Sequence, residues 1–388
     1  MHRGNSDDER CMQVELIDAR SLFIVPEGGA YFNCAYKGLT PRTAAEAAAL
    51  SPTALDCPWA FEQTEVLRSA LLEVIAEIIG VTPEEIALIP SVSYGMALAC
   101  SVAKLMPNDQ VLILESEHPA AALAWYAGCK VTGARILPIK ESADDLTEAI
   151  LSAMVSSVRI VVVPQVHWID GRPIDLPRIS SRAKELGAFL ITDATQSVGG
   201  RPFKIPEFQP DIAIFSGYKW LFGPLGLAYL YVAPAFRNSA PFEHSWVSYA
   251  GEGPTMFDAG GCIQYPTEPL TGMRRFDASG LRNALTLRMA LTAARLVREV
   301  SPERILARNA DLISRIGHEL PDRLPNIKGD QHFVALRSPD ARREAQRLAA
   351  HSIYTSARGR YLRISPNIWN NDADLEALVA QLRCHANP

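Results

Sequence analysis

The sequence carries no surplus of basic charge. In 388 residues, 38 Lys and Arg stand against 43 Asp and Glu, a formal charge of -5. Without a basic excess there is no electrostatic footprint for nucleic acid and no pull toward an anionic membrane surface. Long apolar runs are missing too: none approaches the ~18 residues of a membrane span. The opening "MHRGNSDDERCMQ" has no apolar stretch to serve as a secretion signal. These absences predict a cytoplasmic protein. Cysteine is sparse and scattered: Cys11, Cys34, Cys57, Cys100, Cys129, Cys262 and Cys384 never form a CxxC pair. An odd, dispersed set argues against a disulfide framework or a zinc site, so reduced thiols and no metal are expected. Internal repeats, low-complexity tracts and a GxGxxG turn opening a helix are likewise lacking.

What remains is an ordinary globular composition, 48% hydrophobic and 21% charged. The length suits a large domain with a smaller one. The stretch "PWAFEQTEVLRSALLEVIAEIIG" reads as an amphipathic helix closed by Gly80, with Leu67, Leu71, Leu72, Ile75 and Ile79 at helical spacing. Seven short apolar runs then alternate with helical stretches: "EIALIP", "QVLILES", "ARILPI", "VRIVVVPQV", "AFLITDA", "DIAIFS" and "GLAYLYV". Several are continuously apolar, which suits strands covered on both faces of a mostly parallel sheet. Past about residue 275 the pattern changes to long helices with short strands around "HFVALR" and "YLRIS". The reading is an N-terminal arm over 1–20, a large α/β domain over 21–275 and a smaller α+β domain over 276–388.

Ligands of such sheets bind beyond the carboxyl ends of the strands. Three of those ends carry chemistry. "AFLITDATQSVGG" leaves Asp193 after an apolar run, where a carboxylate is costly unless a cation faces it; a protonated pyridine nitrogen is such a cation. Gln196 follows three residues later, in what reads as a first helical turn. "DIAIFSGYK" ends the next strand with the Ser216 hydroxyl and the Lys219 amine, and "IALIPSVSYGM" runs from strand through a hydroxylic turn into a helix. There Ser93, Gly95 and the backbone N–H groups suit an anion. An amine to capture an aldehyde, an acid for a ring nitrogen and a phosphate cradle together describe a site for pyridoxal 5'-phosphate. Each residue also has an ordinary use: Lys219 as a strand-end lysine, Asp193 as an N-cap, the serines as turn formers, Arg363 as an ion-pair partner.

In these segments the chain resembles the fold-type I, class-V aminotransferase family, which includes cysteine desulfurases, selenocysteine lyases, kynureninases, isopenicillin N epimerases and C–S lyases. "SVSYG", "ESEHPAAALAW", "TDATQSVG", "SGYKWLFGPLGLAYLYV", "RRFDASGLRN" and "YLRISPNIWNN" are similar to the family's "GTTEG", "EHxA", "VDGAQAVG", "SGHKxxGPxGxGxLYV", "RFEAGTPN" and "xRISxxxYNT". The resemblance implies a Lys219 Schiff base, Asp193 on the ring nitrogen and His118 stacked on the ring. Ser93, Tyr94, Gln196, Ser216 and Tyr218 would be further cofactor contacts, and Ser279 would reach a phosphate across a homodimer with shared active sites. Arg363 would hold the α-carboxylate of an amino-acid substrate, with Asn33 (in "YFNCAYKGLTP") near the pocket. The chain departs from the pattern at Tyr218, where the family has His, and at "HWIDG", which leaves His167 or Trp168 where many members place Asn. The loop "HSIYTSARGRYLRIS" lacks the nucleophilic cysteine of desulfurases. The expected activity is therefore β-elimination by a C–S lyase on a cysteine-derived substrate, with transamination to an α-keto acid or epimerisation as alternatives.

Overall fold

The computed structural model describes residues 16–49, 63–140, 145–249, 260–281, 283–324 and 330–383. Residues 1–15 of the expected arm, the first five residues of "PWAFEQ", Arg282 of "RRFDASGLRN" and the cysteines Cys11, Cys57 and Cys384 lie outside them.

All seven apolar runs form strands of one sheet: β2 (Ile86–Ile89), β3 (Gln110–Leu114), β4 (Arg135–Ile139), β5 (Val158–Val162), β6 (Phe189–Asp193), β7 (Ile212–Ser216) and β8 (Ala228–Val232). Their spatial order is β2-β8-β7-β6-β5-β3-β4. The sheet is parallel except for β8, which runs antiparallel to both β2 and β7. The exception follows from the connection after β7, a short turn-rich stretch with no crossover helix, which can only return the chain antiparallel. Strands β2, β7 and β8 are buried at every position, as their unbroken apolar character requires. β4 is an edge strand, half exposed, and accommodates Pro138 there.

Alternate residues along each strand feed two cores. Leu88, Leu112, Val161, Leu190, Ala213 and Phe215 face the helices Gln63–Ile79, Leu176–Leu186 and Ala284–Val300. Ile89, Ile113, Val162, Ile191 and Ile214 face Val92–Ala103 and Pro119–Thr132. Although Ala284–Val300 follows the change of pattern at residue 275, its buried face packs in the core of the large sheet, against Gln63–Ile79.

A third core lies under an antiparallel sheet ordered β11-β12-β9, made of β9 (Val334–Arg337), β11 (Ser356–Arg358) and β12 (Tyr361–Ile364). The helices Pro302–Glu319 and Asp372–Arg383 pack on it. The N-terminal strand β1 (Ala30–Tyr31) pairs in parallel with β10 (Ile353–Tyr354), Asn33 bridges to Ser365, and Ala30 and Phe32 are buried in this third core. The first described strand therefore belongs with the C-terminal strands. The fold is α/β, with a mostly parallel central sheet flanked by helices and a smaller C-terminal part.

Candidate active site

The carboxyl ends of β2, β3, β5, β6 and β7 surround a cavity of about 250 Å³. Ser93, His118, Trp168, Asp193, Gln196, Ser216, Tyr218 and Lys219 all line it.

Lys219 leaves β7 on a turn in which Gly217 and Gly223 pack closely on neighbouring atoms, and its side chain is only 7% exposed. Burial, and then the positive charge of Arg363, bring its amine down to about 8, while Asp193 works in the opposite direction. An amine so poised is far more often neutral at physiological pH than a solvated lysine, and so is available as a nucleophile or base. Asp193 ends β6, and its Oδ1 accepts the Thr195 N–H at 2.9 Å. Thr195 in turn uses its hydroxyl to accept the Ser216 N–H at 3.2 Å, which ties the ends of β6 and β7 together.

Gln196 does not lie on a helical turn: the chain passes through tight turns into Gly199 and Gly200, which rest on Trp220. Its amide is fixed at both ends, Nε2 donating to the Ala35 carbonyl at 3.0 Å and Oε1 accepting from Trp220 Nε1 at 2.8 Å. One amide hydrogen remains, and Gln196 lines the cavity.

His118 caps the helix Pro119–Thr132, its Nδ1 accepting the Ala120 N–H at 3.2 Å. That bond leaves the proton of the neutral ring on Nε2. Burial, followed by Lys219, lowers its pKa, so the ring is neutral at physiological pH. Trp168 meets it edge-on with ring centres 4.9 Å apart, anchored by its Nε1 donating to the Ser116 carbonyl at 2.6 Å. Of His167 and Trp168, Trp168 is the one that lines the cavity. His167 turns away to Asp170, 2.8 Å from its Nδ1, and braces the loop.

Ser91 caps the helix Val92–Ala103 through the Tyr94 N–H, which directs Val92 and Ser93 at the cavity. Tyr94 projects elsewhere, because successive helical residues diverge by about 100°. Its hydroxyl donates to Glu243 at 3.2 Å, and Ser279 bonds the same carboxylate through its N–H and hydroxyl. Tyr94 and Ser279 thus converge on Glu243 rather than on the cavity wall.

Arg363 is 1% exposed on β12. One nitrogen, Nη1, donates to the Trp168 carbonyl at 2.7 Å. Nε and Nη2 are buried and find no partner among the described residues. Burial, reinforced by Arg358, brings its pKa down to about 9. The buried Asn33 Oδ1 and Ser216 hydroxyl are similarly without partners. Buried polar atoms are rarely left so, and Ser216, which lines the cavity, marks a place where a ligand completes the bonding; Arg363 and Asn33 are not among the lining residues.

A model of the class-V aminotransferases matches residues 61–261. The chain belongs to that family. It is accordingly a pyridoxal phosphate-dependent enzyme of fold type I. Curated relatives include the isopenicillin N epimerase of Streptomyces clavuligerus, 23% identical over 80% of this chain and 82% of that protein. The aminotransferase YcbU of Bacillus subtilis is 27% identical over 48% of this chain, and the chain spans about half (49%) of that relative's length. Among solved structures, the cystine C–S lyase C-DES in complex with its reaction product cysteine persulfide superposes with a TM-score of 0.81 at 21% identity, covering 91% of this chain and 97% of that one.

The described residues fit the cofactor. The N-terminal turn of Val92–Ala103 opens on the cavity at Val92 and Ser93, the buried Ser216 hydroxyl lacks a partner there, and Asp193 stands at the next strand end. The motifs did not reveal two neighbours. Cys34 is fully buried, accepts from Asn367 Nδ2 at 3.0 Å and lies 4.0 Å from the Lys219 carbonyl, while Arg358 stands beside Trp168. Both lie in segments quoted above, beside Asn33 and in the loop before Arg363, but nothing in those segments marks these two residues themselves.

Proposed function

We propose that the protein is a C–S lyase acting by β-elimination on a cysteine-derived amino acid. The amino-acid part of this reading is carried by Arg363: a buried guanidinium with Nε and Nη2 unpartnered offers a fork to an α-carboxylate. Pyridoxal phosphate, when bound, supplies an electron sink for charge developing at Cα. Asp193 would hold the ring nitrogen, the Ser93 turn and Ser216 the phosphate, and Gln196 and Tyr218 the ring substituents. His118 would cover one face beside Trp168.

Arg363 fixes the carboxylate and thereby selects which bond at Cα is broken. Lys219, with its amine near 8, takes the Cα proton as general base. His118 keeps a hydrogen on Nε2, the nitrogen free to donate to a departing sulfur. The lyase reading over sulfur transfer is supported by the loop 351–365, which contains no cysteine to receive sulfur. The C–S lyase among the structural neighbours agrees with it.

Epimerisation is the second reading, favoured by the match to isopenicillin N epimerase along 80% of the chain. The same proposal includes a cytoplasmic homodimer, in which Ser279 reaches the partner's phosphate. The deciding experiment supplies cysteine conjugates without any keto acid. Pyruvate and ammonia support elimination; loss of optical rotation without pyruvate identifies the epimerase; turnover that needs a keto acid identifies the aminotransferase.

A further inference from the structure

Besides Lys219 in the cavity and the buried Arg363, a third cation stands next to Trp168, a residue of the cavity wall. Arg358 ends β11 with its guanidinium carbon 5.8 Å from the centre of the Tyr36 ring and 5.9 Å from that of Trp168, a wall of the cavity. It is half-buried and spends one nitrogen, Nη1, on the Ala357 carbonyl at 2.7 Å. Among the described residues no carboxylate pairs with it. Its charge acts inward, disfavouring protonation of Lys219, His118 and Arg363 alike.

Around Lys219 two cations, Arg363 and Arg358, oppose its charge, while Asp193 and, to a lesser degree, Cys34 favour it. If Asp193 serves the ring nitrogen and an α-carboxylate serves Arg363, Arg358 is left without an anion. The Tyr36 and Trp168 rings lie within cation–π range of its guanidinium, a contact that leaves the planar fork available to a planar anion.

We propose that Arg358 is a specificity-determining residue that binds a second carboxylate, carried at the far end of the substrate side chain. The preferred substrate is then a cysteine-derived amino acid whose sulfur substituent bears a carboxylate. The inference rests on Arg363 taking the α-carboxylate.

Calorimetric titration of the cofactor-loaded protein tests it without turnover. The probes are succinate, glutarate and adipate, each against the monocarboxylate of equal length. One dicarboxylate is expected to bind about tenfold or more tighter than its match, the yield of one good charge-assisted fork. Arg358→Gln should erase that advantage. Arg358→Glu should transfer it to a probe ending in an ammonium, such as 5-aminovalerate, a reversal that general loosening of the fold does not produce. Equal binding of matched acids by the unaltered protein overturns the inference, as does an advantage that survives both substitutions. Arg363→Gln separates the two readings. If it abolishes monocarboxylate binding while dicarboxylates hold no advantage in the unaltered protein, the α-carboxylate reading stands and Arg358 is dismissed. If no carboxylate binds the unaltered protein, both fall.

Discussion

The backbone N–H of Gly38 donates to the Tyr218 carbonyl at 3.0 Å, an approach so close that a Cβ on Gly38 would overlap the carbonyl oxygen of Lys219 and stand 2.9 Å from the Phe222 ring. The N-terminal segment thus presses on the turn that presents the lysine. Gly38→Ala should displace that turn and destabilise the protein by about 1–3 kcal/mol, the usual cost of overpacking. Urea denaturation reads the loss. Borohydride fixation of cofactor should fall in the same variant, and retention of full fixation would show that the turn absorbs the methyl.

Lys219 makes the cofactor-free protein pH-sensitive. An unfolded lysine titrates near 10.5 and the folded one near 8, so between those values the unfolded chain binds more protons and stability rises with pH. Above 10.5 both states are neutral and there is no penalty; as pH falls through 8 the full cost is reached, roughly 3 kcal/mol at 1.36 kcal/mol per pKa unit. Lys219→Met should therefore raise the melting temperature of the cofactor-free protein at pH 7, with a gain that vanishes toward pH 10.5. The same variant should retain no cofactor after borohydride.

Arg363→Lys keeps the charge and removes the fork. KM for the amino acid is expected to rise roughly 10- to 100-fold, the worth of a charge-assisted hydrogen bond. Steady-state kinetics over a wide substrate range provide the check. An unchanged KM would mean that the buried Nε and Nη2 serve another partner.

Trp220→Phe leaves the ring cluster with His332 and Phe333 nearly intact but deletes the N–H that satisfies Gln196 Oε1. A buried acceptor without its donor costs about 1–3 kcal/mol. The melting temperature of the cofactor-free protein should drop accordingly.

Most of the sheet was legible in the sequence. Strands buried on both faces read as continuous apolar runs, and the residues just beyond them, Lys219, Asp193 and Ser216, came with them because strand direction puts all such ends on one edge. What escaped was set by tertiary packing. Nothing near Tyr94 or Ser279 announces that both meet Glu243, residues away in a different segment. Gln196 was expected on a helix, yet Gly199 and Gly200 keep the chain in turns beneath Trp220. The place of Arg358 beside Tyr36 and Trp168, which come from distant parts of the chain, is likewise set by tertiary packing.

The pairing of β1 with β10, and of Asn33 with Ser365, sets a timetable for synthesis. Cys34 and Gly38, which lie against Lys219, leave the ribosome well before the strand and the Asn367 amide that hold their segment. Translation therefore delivers the lysine, its sheet and its helices before the floor beneath them can be fastened. A chain released before residue 353 carries the lysine yet lacks Arg358, Arg363 and the clasp for its own beginning.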